Sequence, residues 1–168
     1  MPLSFVVIAG GVSPLPEFFG VSIGLLFPFA FVGMWIFVCF IISRMGWIRF
    51  ATAYSSDYRP RGRSFSVPSV AFGATGTRYS SVVRAIPTEV GLYLYAFFLF
   101  RAFHPPFNLP WSSIERVEPY SFLWNRGYIL HIRDEAGSFQ MHVGSKSLHE
   151  FNRFNSNLLP PEQLAKPT

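Results

Sequence analysis

The sequence has few charged residues and only one cysteine. Asp, Glu, Lys and Arg make up 14% of its 168 residues, against about 25% in a typical soluble domain. The single cysteine, Cys39, excludes an intramolecular disulfide and a cysteine-based zinc site. Cys39 stands in the most apolar part of the chain, so we interpret it as a packing residue.

Motifs for catalysis are also missing from the sequence. The chain has four histidines, His104, His131, His142 and His149. None has the spacing of an H-E-x-x-H metal site, and we interpret all four as surface residues. Ser112 and Ser113 lack a G-x-S-x-G nucleophile elbow. Glycine-rich nucleotide fingerprints and basic patches interleaved with stacking aromatics are absent too. We therefore expect no enzyme activity, no cofactor, no metal site and no nucleic-acid partner.

Hydrophobic residues, by contrast, make up 50% of the chain. Residues 18–43 read FFGVSIGLLFPFAFVGMWIFVCFIIS, without a single charge. A helix needs about 20 apolar residues to cross the hydrocarbon core of a bilayer, so the run predicts one transmembrane helix. A cleaved signal peptide fits less well, because no basic residue precedes the run, the run is too long and no A-x-A site follows it.

The charges on the two sides of this run are uneven. Residues 1–43 carry only one charge, that of Glu17, whereas residues 44–84 carry seven arginines and one aspartate. Residues 85–168 carry equal numbers of bases and acids. The positive-inside rule therefore predicts a short extracytoplasmic tail, residues 1–17, and a cytoplasmic C-terminal part.

Five residues near the predicted span are candidates for contact with a membrane or a partner. Gly20 and Gly24 form a G-x-x-x-G, which allows close helix approach, although glycine is common in membrane helices anyway. Pro28 can kink the helix or free a backbone carbonyl. Trp35 stands inside the apolar run, where its indole N–H needs a partner. Trp47 is placed as an interfacial aromatic anchor.

The segment 44–63 is expected to be a basic juxtamembrane linker. Its arginines are Arg44, Arg49, Arg59, Arg61 and Arg63. They suit anionic lipid headgroups, at about 1 kcal/mol for each basic residue near the surface. They also suit an acidic surface on a membrane partner. The simplest alternative is that these arginines only set the orientation of the chain in the membrane.

Residues 64–159 show the alternating pattern of short antiparallel strands. The segments 64–72 and 78–86 are candidate strands, and 128–133 pairs with 138–143 across the turn DEAG. One face of this hairpin is expected to carry Tyr128, Leu130 and Ile132 beside Val143, Met141 and Phe139. His131 and His142 would lie diagonally on the other face.

The apolar segment 90–103 has two interpretations. At about 14 residues and with Arg101 inside it, it is short for a second membrane span, so we predict one long central strand. The prolines after it predict a break at 104–110, with His104 on an exposed turn. The next strand is expected to begin at Trp111, with Ile114 and Val117 pointing inward.

A C-terminal amphipathic helix is expected to close the domain. Ser145 or Ser147 can cap it. Its apolar stripe is predicted to be Leu148, Phe151, Phe154 and Leu158. Residues 160–168 form the predicted flexible tail. The expected fold class is membrane-anchored α+β: one N-terminal transmembrane helix, then a small antiparallel β-barrel or sandwich capped by a C-terminal helix.

Three segments carry a resemblance to a known group of proteins. They are GWIRFATAY (46–54), GLYLYAFFLFRAFHPPFNLPW (91–111) and NLPWSSIERVE (108–118). They resemble segments of uncharacterised bacterial single-pass membrane proteins with a pleckstrin-homology-like (PH-like) cytoplasmic domain. The resemblance spans roughly residues 45–158. It implies a PH-like fold in the bacterial inner membrane and supplies no catalytic residues.

Two functions agree with these observations. The first is a non-catalytic accessory or scaffolding subunit, whose partners are the other integral membrane subunits of a larger complex and whose domain packs on the cytoplasmic face. The sequence does not distinguish a bioenergetic, photosynthetic or transport complex. The second is a membrane-tethered module that binds anionic lipid or a peptide.

Overall fold

The computed structural model describes residues 17–73, 77–122 and 125–158. The elements of these residues are α1 (Glu17–Arg44), α2 (Trp47–Ala53), β1 (Phe65–Phe72), β2 (Arg78–Pro87), β3 (Gly91–Ala96), β4 (Phe107–Pro110), β5 (Ile114–Phe122), β6 (Asn125–Asp134), β7 (Gly137–Gly144) and α3 (Ser145–Phe154). The described residues form two compact units, residues 17–35 and 36–158. We call the second unit the β domain. The predicted tails, 1–17 and 160–168, lie outside the described residues except for Glu17.

The predicted apolar helix is present as α1, which has 28 residues and contains Pro28. Its part Leu26–Arg44 is the one helix among the described residues that is long and apolar enough to cross a membrane. At about 1.5 Å per residue, its 19 residues span roughly the thickness of a hydrocarbon core. The exposed large side chains between residues 26 and 34 are Leu26, Phe27, Phe29, Phe31, Val32 and Met34.

The β domain is built on one curled, seven-stranded antiparallel sheet that forms a half-barrel. The strand order is β4-β3-β2-β1-β7-β6-β5. Proline positions agree with this order: Pro110 and Pro119 lie in the two edge strands, where a missing N–H costs no ladder bond. In the inner strand β1, Pro68 coincides with an irregularity in the register. The coarse prediction of an antiparallel β domain followed by a helix is confirmed.

The predicted β6–β7 hairpin has the predicted register. Tyr128 pairs with Val143, Leu130 with Met141 and Ile132 with Phe139. This face of the hairpin packs into the core, because successive side chains of a strand point to opposite faces. His131 and His142 lie diagonally on the other face, as expected. The candidate strands 64–72 and 78–86 are confirmed as β1 and β2.

Helix α2 lies in a segment that we expected to be a linker. Trp47, Phe50 and Ala51 are buried in the β-domain core. The Phe50 ring packs against Phe139, with 4.8 Å between ring centroids. Gly46 precedes the helix with φ +157°, and a Cβ there would lie 2.5 Å from the Cβ of Phe72. Only glycine lets the chain pass so close to β1 as it leaves α1.

One carboxylate joins three parts of the β domain. Asp134, at the end of β6, accepts hydrogen bonds from the hydroxyls of Tyr54 and Ser113. Tyr54 follows α2, and Ser113 precedes β5. These two hydrogen bonds, Ser113 first, hold the pKa of Asp134 below its ordinary value. The carboxylate therefore fixes the end of α2 against the strand that carries it.

The prediction of one long strand over 90–103 is wrong in its second half. β3 ends at Ala96, and residues Phe98–Phe100 form a 3₁₀ turn instead. The strand ends there because the pairing with β2 ends at Val83 and Ala96. Residues 107–110 then form the edge strand β4. A second 3₁₀ turn takes up 111–113, so β5 begins three residues after the predicted start.

Helix α3 has part of the predicted apolar stripe. Leu148 and Phe151 are buried, whereas Phe154 is exposed. The prediction that Leu158 belongs to the stripe is wrong, because the helix ends at Phe154, although the Leu158 side chain is buried in the core. The Phe151 ring packs edge-on against Phe65, at 5.7 Å between centroids. The expected serine caps are not made: Gly144 is the N-cap residue, and no side chain caps the helix.

Candidate membrane-proximal site

The last two turns of α1 are part of the β domain. Cys39 and Ser43 lie one helical turn apart on the same face, and both are buried. The Ser43 hydroxyl donates to the carbonyl oxygen of Phe40 at 2.8 Å, so its polar group is satisfied within the helix. Ile42 packs partly buried against the core. Residues 36–44 therefore do not form a free tether.

A buried polar contact fastens this helix end to β2. The hydroxyl of Tyr79 lies 3.1 Å from the carbonyl oxygen of Ile42 and 3.0 Å from Nε2 of His104. His104 Nδ1 lies 2.9 Å from the carbonyl oxygen of Ala102, to which a neutral imidazole donates. Nε2 then accepts, and Tyr79 donates its single proton either to Nε2 or to Ile42. Strand β2 and the turn that carries His104 are thereby joined to α1, although both are far from it in sequence.

Burial shifts the pKa values of His104 and Tyr79 in opposite directions. It lowers the pKa of His104 below its ordinary value, and backbone hydrogen bonds at Ala102 and Phe100 only partly offset this. It raises the pKa of Tyr79 well above its ordinary value. At neutral pH the pair is uncharged, which suits groups enclosed among aromatic rings. The expectation of an exposed His104 is wrong, since the residue is 1% exposed.

Trp47 completes what we call the junction cluster, which consists of Trp47, Tyr79 and His104. The Trp47 ring lies edge-on to His104 and Phe107, at centroid distances of 5.5 and 5.0 Å. Its indole N–H donates to the carbonyl oxygen of Pro105 at 2.8 Å. The assignment of Trp47 as an interfacial anchor is therefore wrong: the side chain is fully buried in the protein core.

Beside the helix end lies an exposed apolar segment, residues 97–103, which we call the aromatic loop. Its exposed side chains include Phe97, Phe98, Leu99 and Phe103. The Phe103 ring packs edge-on against Phe40 of α1, at 5.2 Å between centroids. The guanidinium of Arg44 lies 5.0 Å from the same Phe40 ring. The aromatic loop is thus continuous with the apolar surface of the helix end.

The predicted linker arginines do not share one surface. Arg59 stacks on Tyr95, with its Cζ 4.7 Å from the ring centroid, and Arg63 lies 5.5 Å from the Phe65 ring. Arg61 and Arg63 line an open groove of about 660 Å³ that also contains Glu89 and Glu150. Arg44 and Arg49 line a different depression, of about 360 Å³.

A smaller pocket beside the aromatic loop was not found from the sequence. It measures about 110 Å³, and its polar lining residues are Arg59, Tyr93, Tyr95, Arg101 and His104. No lining residue of this pocket is acidic. Arg101, inside FFLFRAF, was the only local signal for it, because Arg59 comes from 42 positions earlier in the chain.

The remaining predicted contact residues lie along α1. Gly24 is exposed, and a Cβ added there would have no other atom within 4 Å. Pro28 is exposed, and Trp35 is half-buried. Gly20 belongs to the helix, but its surroundings lie outside the described side chains.

The other histidines differ in their surroundings. His131 Nε2 lies 2.8 Å from a carboxylate oxygen of Glu118. His142 packs edge-on against Tyr120, and burial lowers its pKa. His149 is exposed. Within residues 17–73, 77–122 and 125–158, no three His, Cys, Asp or Glu side chains come together in a way that could hold a metal ion.

Comparison of the chain with protein-family models, with curated proteins and with solved structures found no match.

Proposed function

We propose that the chain is a single-pass membrane protein of the bacterial inner membrane that acts as a non-catalytic accessory or scaffolding subunit of a larger membrane complex. The observation that carries this proposal is the junction between α1 and the β domain. Because residues 36–44 are packed and hydrogen-bonded into the domain, a partner that fixes the helix end also fixes the domain. A signalling domain on a free tether needs no such junction.

The charge distribution supports a cytoplasmic β domain. Seven arginines follow the apolar helix within residues 44–84, whereas one glutamate is the only charge in residues 1–43. Basic residues beside a span favour the cytoplasmic side. In this arrangement, the aromatic loop meets the bilayer at the level where α1 leaves it, because Phe103 packs on Phe40. The resemblance to PH-like domains agrees with the half-barrel and its C-terminal helix.

Exposed side chains of α1 are the proposed contact surface for other membrane subunits. Gly24 and Gly33 leave open space on the helix, where a neighbouring helix can approach closely. Phe29 and Phe31 add aromatic surface. Since lipid tails are as apolar as these side chains, helix association would depend on close packing at the glycines.

Purification from native membranes in a mild detergent tests the proposal. Tagged chain should elute with at least one integral membrane protein in fixed stoichiometry, and Gly24→Leu should reduce its recovery several-fold. Ala30→Leu, at an exposed position of α1 without a glycine, is the matched control for adding a bulky side chain to the helix. Recovery of the wild-type chain as a monomer without a stoichiometric partner would contradict the proposal.

The second candidate function is a membrane-tethered module for anionic lipids. The observation that favours it is the position of the exposed Arg44 and Arg101 beside the aromatic loop. In the reconstituted full chain, the β domain should then lie nearer to the bilayer surface when anionic lipid is added. Salt should weaken this effect, because exposed charges are screened over about 10 Å at 0.1 M ionic strength.

A further inference from the structure

The small pocket beside the aromatic loop has the chemistry of an anion site. Its two arginines make no ion pair with any described residue, since the ion pairs of arginines in this part of the chain involve Arg116, Arg133 and Arg153. Arginine forms its strongest hydrogen bonds with carboxylates and phosphates, often through two N–H groups at once. The pocket therefore presents positive charge that the described protein does not neutralise.

Neighbouring groups hold Arg59 at the edge of this pocket. Its Nη2 donates to the hydroxyl oxygen of Tyr95 at 3.1 Å, and the guanidinium stacks on the same ring. The Tyr95 hydroxyl in turn lies 2.9 Å from the Ser64 hydroxyl. An arginine fixed in this way loses less side-chain entropy when it binds an anion.

Tyr93 supplies a hydroxyl group to the same pocket. The residue is 4% exposed, and its hydroxyl has no hydrogen-bond partner among the described residues. Burial raises the pKa of Tyr93, and the positive charges of Arg59 and Arg101 act in the opposite direction. Both arginines line the same pocket as this hydroxyl, which remains a neutral donor at pH 7. The hydroxyl reaches the open pocket, where it can donate a hydrogen bond to a ligand.

An apolar side chain stands at the rim of the pocket. Phe98 lines it and is 69% exposed, and Leu99 follows as a second exposed apolar residue. A ligand that joins a compact anion to hydrocarbon chains matches this combination of two arginines, a tyrosine hydroxyl and an exposed apolar rim. Phospholipids have that structure.

We propose that Arg59, Arg101 and Tyr93 bind a phosphate group, supplied by the headgroup of an anionic phospholipid whose acyl chains lie against Phe98 and Leu99. The inference rests on the proposed position of the β domain at the membrane surface. It goes beyond the accessory role, because it gives the domain a defined lipid ligand.

Calorimetric titration of full-length chain in a non-ionic detergent tests this site. The probes are dihexanoyl phosphatidylglycerol, inorganic phosphate and dihexanoyl glycerol, which lacks the phosphate. The phosphate-bearing lipid should bind, and dihexanoyl glycerol should bind at least tenfold more weakly. Tighter binding of the lipid than of inorganic phosphate identifies the headgroup as the source of the phosphate. Equal binding of the two would overturn the assignment to a lipid and identify free phosphate as the source.

Variants locate the binding in the pocket. Arg59→Gln with Arg101→Gln should weaken binding of the lipid at least tenfold, and Tyr93→Phe should weaken it several-fold without changing the packing of the ring. Arg49→Gln with Arg61→Gln is the matched control, since it removes the same charge from exposed residues outside the pocket. An equal loss in both double variants, or no binding by the wild-type chain, would overturn the proposal.

This assay separates the phosphate site from the proposed function. Binding in detergent requires neither partner subunits nor a particular orientation in the membrane. A chain that co-purifies with partners but binds no phosphate probe would contradict only the site. A chain that binds lipid in the pocket but has no partner would contradict only the accessory role.

Discussion

The hydroxyl of Tyr79 lies 3.1 Å from the carbonyl oxygen of Ile42, so strand β2 is in hydrogen-bonding contact with the last turns of the apolar helix. The same hydroxyl lies 3.0 Å from His104 Nε2. One tyrosine therefore joins α1, β2 and the turn after the aromatic loop. This contact belongs to the junction between the helix end and the β domain, together with the packing of Ile42 against the core and of Phe40 on Phe103.

Removing the Tyr79 hydroxyl should weaken the junction. We expect Tyr79→Phe to lower the free energy of unfolding by about 1–3 kcal/mol, because His104 Nε2 loses its buried hydrogen-bond partner. Denaturant unfolding of full-length chain in detergent measures the change. Tyr120→Phe is the control, since Tyr120 makes a ring contact with His142 but no hydroxyl hydrogen bond with a described residue. Equal stability of the two variants would show that the contact contributes nothing.

The buried histidine should make stability depend on pH. The pKa of His104 is lowered on folding, so the unfolded chain takes up the proton first. The contribution of His104 is complete above its unfolded pKa of about 6.5, and it decreases as the pH falls below that value. Trp47 and Tyr79 contact the His104 ring, and the charged groups that line the same pocket as His104 are Arg59 and Arg101.

Comparison of two proteins isolates the effect of His104. His142 has a lowered pKa as well, so both proteins carry His142→Gln, and one also carries His104→Gln. Unfolding free energies between pH 8 and pH 5 should fall more steeply in the protein that retains His104. His149→Gln is the control for an exposed histidine. Parallel pH profiles with and without His104 would contradict the prediction.

Asp134 should also make stability depend on pH, because its charged form is the one that stabilises the fold. Hydrogen bonds from Ser113 and Tyr54 lower its folded pKa, so its contribution is present above the ordinary value of 3.8 and is lost as the pH falls below it. Asp134→Asn should therefore cost about 1–3 kcal/mol at pH 7, with a smaller difference from wild type below about pH 4.

Glu115→Gln serves as the control for Asp134. Glu115 is exposed and makes a single ion pair, at 3.6 Å, with Arg133. Its replacement should change the unfolding free energy by less than about 0.5 kcal/mol. A difference between Asp134→Asn and wild type that stays constant from pH 7 to pH 3 would count against the lowered pKa.

The parts of the fold that the sequence predicts correctly have local, periodic signals. The register of β6 and β7 follows from alternation on either side of a short turn, and α1 follows from a long run without charge. The aromatic loop has the same composition as β3, so no local signal marks the end of the strand at Ala96. Strand pairing decides that end, and pairing depends on residues that come earlier in the chain.

The junction cluster and the pocket depend on contacts across long stretches of sequence. Trp47 donates to Pro105, 58 positions away, and Arg59 reaches Tyr95, 36 positions away. A tryptophan just after an apolar helix looks the same in sequence whether it meets lipid headgroups or a protein core. Only the packing of α2 into the half-barrel separates these two environments for Trp47.

The orientation of the chain in a membrane tests the central claim most directly. In a Cys39→Ala background, Ser4→Cys and Asp57→Cys place one thiol on each side of the predicted span. A membrane-impermeant thiol reagent should label Ser4→Cys in intact bacterial cells and Asp57→Cys only after lysis, with both proteins in the membrane fraction. Labelling of Asp57→Cys in intact cells, or recovery of the chain outside the membrane fraction, would contradict the claim.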